Sequence, residues 1–265
     1  MIYYKTNDEI ELMRESCTLL SKTLAHVATL LRPGITGFDI DKAAETFIRD
    51  HGAIPGFKGL YGFPGTLCIS TNAAVVHGVP TDREFQEDDI VSVDCGVLKN
   101  EFYGDSAYTF AFNGISEEVE KLLSVTKKAL YLGIEQARVG NRVGDIGYAV
   151  QNFAEKKHGY GVVRELVGHG LGKDLHESPE VPNYGKRGRG VQLKDGVVIA
   201  IEPMVNLGTK AVKKSSDGTI LSKDDKPSAH YEHTVAVRAG GPDILSNHEW
   251  VEEEIKKNGE IRQIQ

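Results

Sequence analysis

Apolar residues recur at helical spacing through Ile10, Met13, Leu20, Leu24, Val27 and Leu31, which predicts a long amphipathic helix near the N-terminus. Thr6 and Glu9 in TNDE make a capping box in front of it, and Pro33-Gly34 stops it. A second helix is predicted from about Asp39 to His51, closed by Gly52. The pattern then changes to short β-type runs, TLCIS (66–70), DIVSVDCGVL (89–98) and FYGDSAYTFAF (102–112). Helical spacing returns near 117–138 and 143–158, and strand-like runs near 197–201 and 232–238. Helices then strands, twice over, predict an α+β chain of two similar halves that pack their sheets together. No linker rich in Pro, Gly or Ser divides it, so residues 1–265 read as a single domain, with a core over about 5–240 and a polar, peripheral tail over about 241–265.

Composition narrows the class. A net charge of −7 gives no global attraction to nucleic acid or to an anionic membrane. The N-terminus lacks the basic-then-apolar order of a secretory signal, and no run approaches the roughly 18 apolar residues needed to span a bilayer. Cys17, Cys68 and Cys95 are an odd count without metal-type spacing, which suits a reducing cytoplasm.

Polar residues inside the apolar runs carry the chemistry. Asp94 interrupts VSVDCGVL and Asp105 interrupts FYGDSAYTF, and Lys99-Asn100 between them can turn a hairpin that sets the two side by side. A carboxylate among apolar neighbours is costly unless it is paired, hydrogen-bonded or bound to a cation. Each alone has an ordinary alternative, an exposed place at a strand end or in a turn cap. Two together favour a metal, which would keep neighbouring carboxylates ionised. GVVIAIEPMV (196–205) ends in Glu202, and AHYEHTVAV (229–237) places Glu232 at the head of another run. With His169 these are four carboxylates and one imidazole, an oxygen-rich set that suits a pair of divalent transition ions better than one zinc or a calcium.

His169 stands in LVGHGLGKDLHESP (166–179), seven positions before His176. Three glycines and a proline should deny this stretch regular structure, and in an unbroken strand the two rings would face opposite sides. Either the glycines let the backbone turn so that both rings converge, or the stretch is a polar surface turn.

HGVP (77–80), DCG (94–96), GDSAYTF (104–110), GHGLGKDLHESP (168–179), IEPM (201–204) and YEHTVAV (231–237), in that order, closely resemble the type I methionine aminopeptidases. The resemblance runs from about residue 5 to 240. It implies the pita-bread (creatinase/aminopeptidase) fold: two pseudo-symmetric α+β halves with antiparallel sheets around a central dinuclear metal cleft. It also implies removal of the initiator methionine from nascent polypeptides whose second residue is small, by water activated between two divalent ions (Co, Mn, Fe or Zn). Carried over residue by residue, Asp94 would chelate one metal, Asp105 and Glu232 would bridge both, and His169 and Glu202 would complete the second site. Glu202 would also be the general base, and His77 and His176 the substrate-facing histidines, His176 donating to the oxyanion. Phe63 and Cys68 match positions that help form the methionine pocket, while Leu60 and Thr219 depart from the aromatic residues common there.

Other residues have plainer readings. His233 faces the far side of its strand and reads as packing or surface, Cys95 as core, and His230, where many relatives carry glutamine, as core or cleft lining. Lys210, Lys213 and Lys214 read as a solvated loop, or as weak ribosome contacts through phosphate. A monomer is the default. The rival readings are a proline-specific pita-bread peptidase and a non-catalytic pita-bread binding protein. The spacing of only 30 residues between Glu202 and Glu232 favours type I, because type II enzymes carry a helical insertion there.

Overall fold

The computed structural model describes residues 1–264. Helix α1 spans Asn7–Leu30, and its Thr6–Glu9 capping box forms as the sequence predicts. Helix α2 spans Gly37–Asp50 behind a second box made by Thr36 and Asp39. Helices α3 (Glu117–Ile134) and α4 (Val143–Gln151) follow the first group of strands, and α4 runs on into a π-helical turn over Asn152–Lys157. None of the helices is long and apolar enough to cross a membrane among the described residues.

The two strands Ile90–Lys99 and Phe102–Ala111 form a ten-residue antiparallel hairpin. Its two-residue turn, Asn100 and Glu101, has both residues in the left-handed region, with φ of 51° and 64°, as a tight hairpin that follows the sheet twist requires. Leu67–Thr71 pairs with the other edge of Ile90–Lys99 and sets Cys68 opposite Asp94. In the second half a five-stranded sheet runs in the order 241–244, 233–238, 198–201, 168–170, 177–181. Helices α1 and α3 cover the two halves, and one continuous apolar core extends from Leu20 and Leu24 through Tyr108 and Leu130 to Ile199 and Tyr231.

The halves are joined along Phe102–Ala111 by hydroxyl groups. Thr234 Oγ1 donates to the Asp105 carbonyl (2.6 Å) and accepts from its N–H (3.2 Å). Ser106 Oγ donates to the Glu232 carbonyl (2.6 Å), Thr109 Oγ1 to the His230 carbonyl (2.7 Å), and the Glu232 N–H to the Ala107 carbonyl (2.9 Å). Buried backbone polar groups must find partners, and here they find them across the join.

The tail is not peripheral. Residues 241–244 form an edge strand, and helix α5 (Glu249–Lys257) packs on α1. Val251, Ile255, Ile261 and Ile264 are buried in the main core. Val251 and Ile255, four residues apart, make an apolar stripe on a helix otherwise dominated by Glu and Lys, which made the segment look uniformly polar.

Candidate metal centre

Asp94 lies opposite Ala107 and Asp105 opposite Gly96, so the two aspartates are diagonal neighbours on one face of the hairpin. Their carboxyl groups share a hydrogen bond. Glu202 follows the strand Val198–Ile201, where Pro203 breaks the ladder, and its carbonyl is held by Asn183 Nδ2 at 2.9 Å. Glu232 sits between two strands at the join with Ala107.

His169 faces this cluster, with Nε2 3.5 Å from Glu202 Oε1 and 3.7 Å from Asp105 Oδ2. One ligand atom each from Asp105, His169 and Glu232 lies within 4.8 Å of the others. All five candidate ligands therefore converge, from segments that span residues 94 to 232.

The histidine segment is more regular than its glycines suggest. Gly168–Gly170 is a short strand paired with Glu177–Val181, and residues 171–176 connect them. None of Gly168, Gly170 and Gly172 has a positive φ. They are glycines because a Cβ on Gly168 would overlap the Ala200 carbonyl, and one on Gly170 the Ser178 carbonyl. Close strand approach, rather than turning, sets the need. The two rings still meet, with centroids 4.5 Å apart and planes at 72°.

His77 and His176 are both exposed, and His77 holds a left-handed backbone at φ 58°. A non-glycine residue costs about 1 kcal/mol or more in that region, so its retention points to a role for the side chain it aims. Cys68 is buried and Phe63 half-buried, and they share one apolar cluster with Phe57, Leu60, Leu175 and Tyr103, next to Asp94. Thr219 is buried, 3.5 Å from the His77 carbonyl through its hydroxyl.

The electrostatics are those of a cation site. Burial raises all four carboxyl groups: Asp94 to about 7, and Asp105, Glu202 and Glu232 well above their usual range, with their mutual charges adding to burial for the last three. Burial lowers the imidazole of His169 to about 4, and partial desolvation by the surrounding walls lowers those of His77 and His176 although their rings still reach solvent, so these rings are neutral and able to serve as ligands or donors. Asp94 Oδ1, Asp105 Oδ1 and Glu232 Oε1 are buried without a hydrogen-bond partner. Buried acceptors of that kind are expensive, and divalent ions fit the donor set they leave.

Two histidines resolve readings that the sequence left open. His230 is fully buried, with Nε2 3.8 Å from Glu202 Oε2 and 4.0 Å from Glu232 Oε2. His233 packs as expected, but as part of a network: its ring stacks on His248 (centroids 3.8 Å apart) and bonds Ser246 Oγ (2.7 Å) and Tyr131 Oη (3.2 Å). His248 in turn bonds Ser106 Oγ at 3.1 Å, so the tail reaches the back of the join.

Comparison with known proteins agrees with this geometry. Residues 11–239 match the family described as metallopeptidase family M24. The chain is 51% identical over 247 residues to a methionine aminopeptidase of Clostridium perfringens, covering 93% of this chain and 99% of that protein. It is 44% identical over 247 residues to methionine aminopeptidase 1 of Bacillus subtilis, again covering 93% and 99%. The crystal structure of methionine aminopeptidase from Rickettsia prowazekii superposes with a TM-score of 0.91 at 35% identity, over 93% of this chain and all of that one.

Proposed function

The chain belongs to metallopeptidase family M24 and, within it, to the methionine aminopeptidases, a pita-bread metallo-exopeptidase, and on that premise we propose how its own residues release an N-terminal methionine. Divalent metals are its cofactors. We assign Asp94, Asp105, His169, Glu202 and Glu232 as the residues that would hold the divalent ions. Such ions supply the Lewis acidity that polarises a peptide carbonyl and acidifies water near neutral pH. Glu202 accepts the proton of the attacking water and returns one to the departing amine. His176 donates to the carbonyl oxygen as negative charge develops there. His77 holds the peptide nitrogen of the scissile bond or of the residue after methionine. Cys68 and Phe63, with Leu60 beside them, enclose the methionine side chain.

The observation that carries this reading is the convergence of four acids and an imidazole, with one buried oxygen each of Asp94, Asp105 and Glu232 lacking a protein partner. The substrate is a nascent polypeptide N-terminus with a small second residue. Metal-stripped protein supplied with Mn, Fe, Co or Zn in turn should cleave Met-Ala peptides, spare Met-bulky ones, and fall silent on chelation. Turnover of Xaa-Pro peptides in place of Met-Ala would assign it to the proline-specific branch, and no turnover with any metal would favour a binding role.

The free, buried state of Cys17, Cys68 and Cys95 supports work in a reducing cytoplasm, and we take the protein to act as a monomer. Lys210 and Lys214 are exposed, and Lys213 pairs with Asp225 at 2.6 Å. Lys213 and Lys214 lie in the strand Val212–Lys214 and not in the expected loop, and with Lys210 just before it they can make weak, salt-sensitive contacts with ribosomal RNA near the emerging chain. Reversing Lys210, Lys213 and Lys214 to glutamate should abolish co-sedimentation with ribosomes at low salt while peptide turnover stays unchanged. Co-sedimentation that survives the reversal removes these lysines from consideration.

A further inference from the structure

His230 has a polar ring atom with no partner in a place where such atoms are costly. Its backbone is pinned twice to one hydroxyl: the N–H donates to Thr109 Oγ1 (2.9 Å), which donates to the carbonyl (2.7 Å). Thr109 is itself held by Ser92 Oγ at 2.8 Å, and its carbonyl accepts from Tyr231 Oη at 3.0 Å. The root of the side chain is thus fixed, and Nε2 is buried without a hydrogen-bond partner. A leucine would fill the space without that penalty, roughly 1–3 kcal/mol.

The two oxygens of Glu202 face different imidazoles. Oε1 lies 3.5 Å from His169 Nε2, and Oε2 lies 3.8 Å from His230 Nε2. A carboxylate that serves both as ligand and as proton acceptor needs its oxygens told apart. His169 stands on the ligand side, among Asp105 and Glu232. His230 addresses the other oxygen.

We propose that His230 is a positioning residue for Glu202: the neutral ring, carrying its proton on Nε2, donates to Oε2 and so aims the oxygen that handles the proton. The inference rests on the assignment of Glu202 as ligand and base. A separation of 3.8 Å is longer than a hydrogen bond, and a rotation that moves Oε2 by about an ångström closes it. Hydrogen bonds of this kind are commonly long before substrate arrives and tighten in the working complex. Glu232 Oε2, 4.0 Å from the same nitrogen, is the alternative acceptor, and the test separates the two.

The variants are His230→Leu, which removes the donor, and His230→Gln, which keeps an N–H at similar reach. H230L should melt no lower than the native chain and bind Mn(II), titrated alone by calorimetry, within about threefold of it. Its kcat on a Met-Ala peptide should fall about 10- to 100-fold with KM little changed, and H230Q should recover to within about fivefold of the native rate. In a Glu202→Gln background H230L should cost nothing further, because residues that act as a unit are not additive. Metal binding weakened tenfold or more in both variants would make His230 a ligand or a partner of Glu232, and would overturn the proposal. A native kcat in H230L, or a full further loss in the Glu202→Gln background, would overturn it as well. If H230L fails to fold, the H230Q rate and its coupling to Glu202→Gln decide alone. Full turnover by Glu202→Gln itself would sink the underlying assignment, a result distinct from any of these.

Discussion

Glu202→Gln should lower kcat on a Met-Ala peptide by about 10³-fold or more, with a smaller change in KM, while the chain remains folded. Glutamine keeps the volume and the buried contacts of the side chain but can neither accept a proton nor balance a cation. Loss of a positioned base alone is commonly worth 10²- to 10⁴-fold. Loss of a ligand beside His169, 3.5 Å from Oε1, adds to that through weaker metal binding. Stability separates this from misfolding. The carboxyl group is raised well above its usual range by burial and by the charges of Asp105 and Asp94, so near neutral pH it opposes the metal-free fold. In chelator the variant should therefore melt at least as high as the native chain, and with metal it should gain less. Steady-state kinetics at fixed free Mn(II), with melting curves in both conditions, measure all three quantities. Native turnover would refute the placement of Glu202 at the reacting centre.

The site was legible where charge conflicted with pattern. Asp94 and Asp105 stood out because a carboxylate inside an apolar run requires a reason, but the turn expected at Lys99-Asn100 lies one residue on, at Asn100-Glu101, which makes them diagonal neighbours instead of a directly opposed pair. Glu202 and Glu232 could be singled out the same way. The glycines of 168–172 were rightly picked but for turning, whereas the structure uses them for strand contact, and a sequence does not record which backbone lies alongside. His230 had no such conflict to betray it, since only the fold brings it between Glu202 and Glu232. Ser106, Thr109 and Thr234, which join the halves, look like ordinary polar positions of strands. Strands of two or three residues, such as Gly161–Val162 and Met204–Asn206, are too short for any periodicity to appear. The tail was misjudged because its buried residues are diluted by surface charge.

The metal-free protein should lose stability as pH rises from about 7 to 8, and metal should reverse the trend. Unfolded aspartate and glutamate titrate near pH 4, whereas the folded chain holds Asp94 at about 7 and Asp105, Glu202 and Glu232 well above their usual range. Across that interval the native state binds more protons than the unfolded state, so the free energy of unfolding falls as pH increases. The buried imidazoles act in the opposite sense below the window. His169 at about 4, His230 and His233 at about 3 and His248 well below its usual range charge more readily when unfolded, which makes stability rise with pH until unfolded histidine, half-charged near 6.5, is mostly neutral above about 7. Above pH 8 the buried thiols, with Cys17 raised to about 12, begin to add to the fall. The interval between isolates the carboxyl cluster. Ions bind the ionised carboxylates and displace their protons, so affinity increases with pH over the same range. At a thousandfold excess over the dissociation constant, binding contributes about 4 kcal/mol, which for a chain of this size raises Tm by roughly 8–16 °C. Melting curves with chelator and with Mn(II) should therefore diverge from pH 7 to 8, and Asp94→Asn should flatten the chelated curve. A chelated protein that instead grows more stable across this window would mean that its carboxyl groups are neither crowded nor protonated, and the cation site would lose its electrostatic basis.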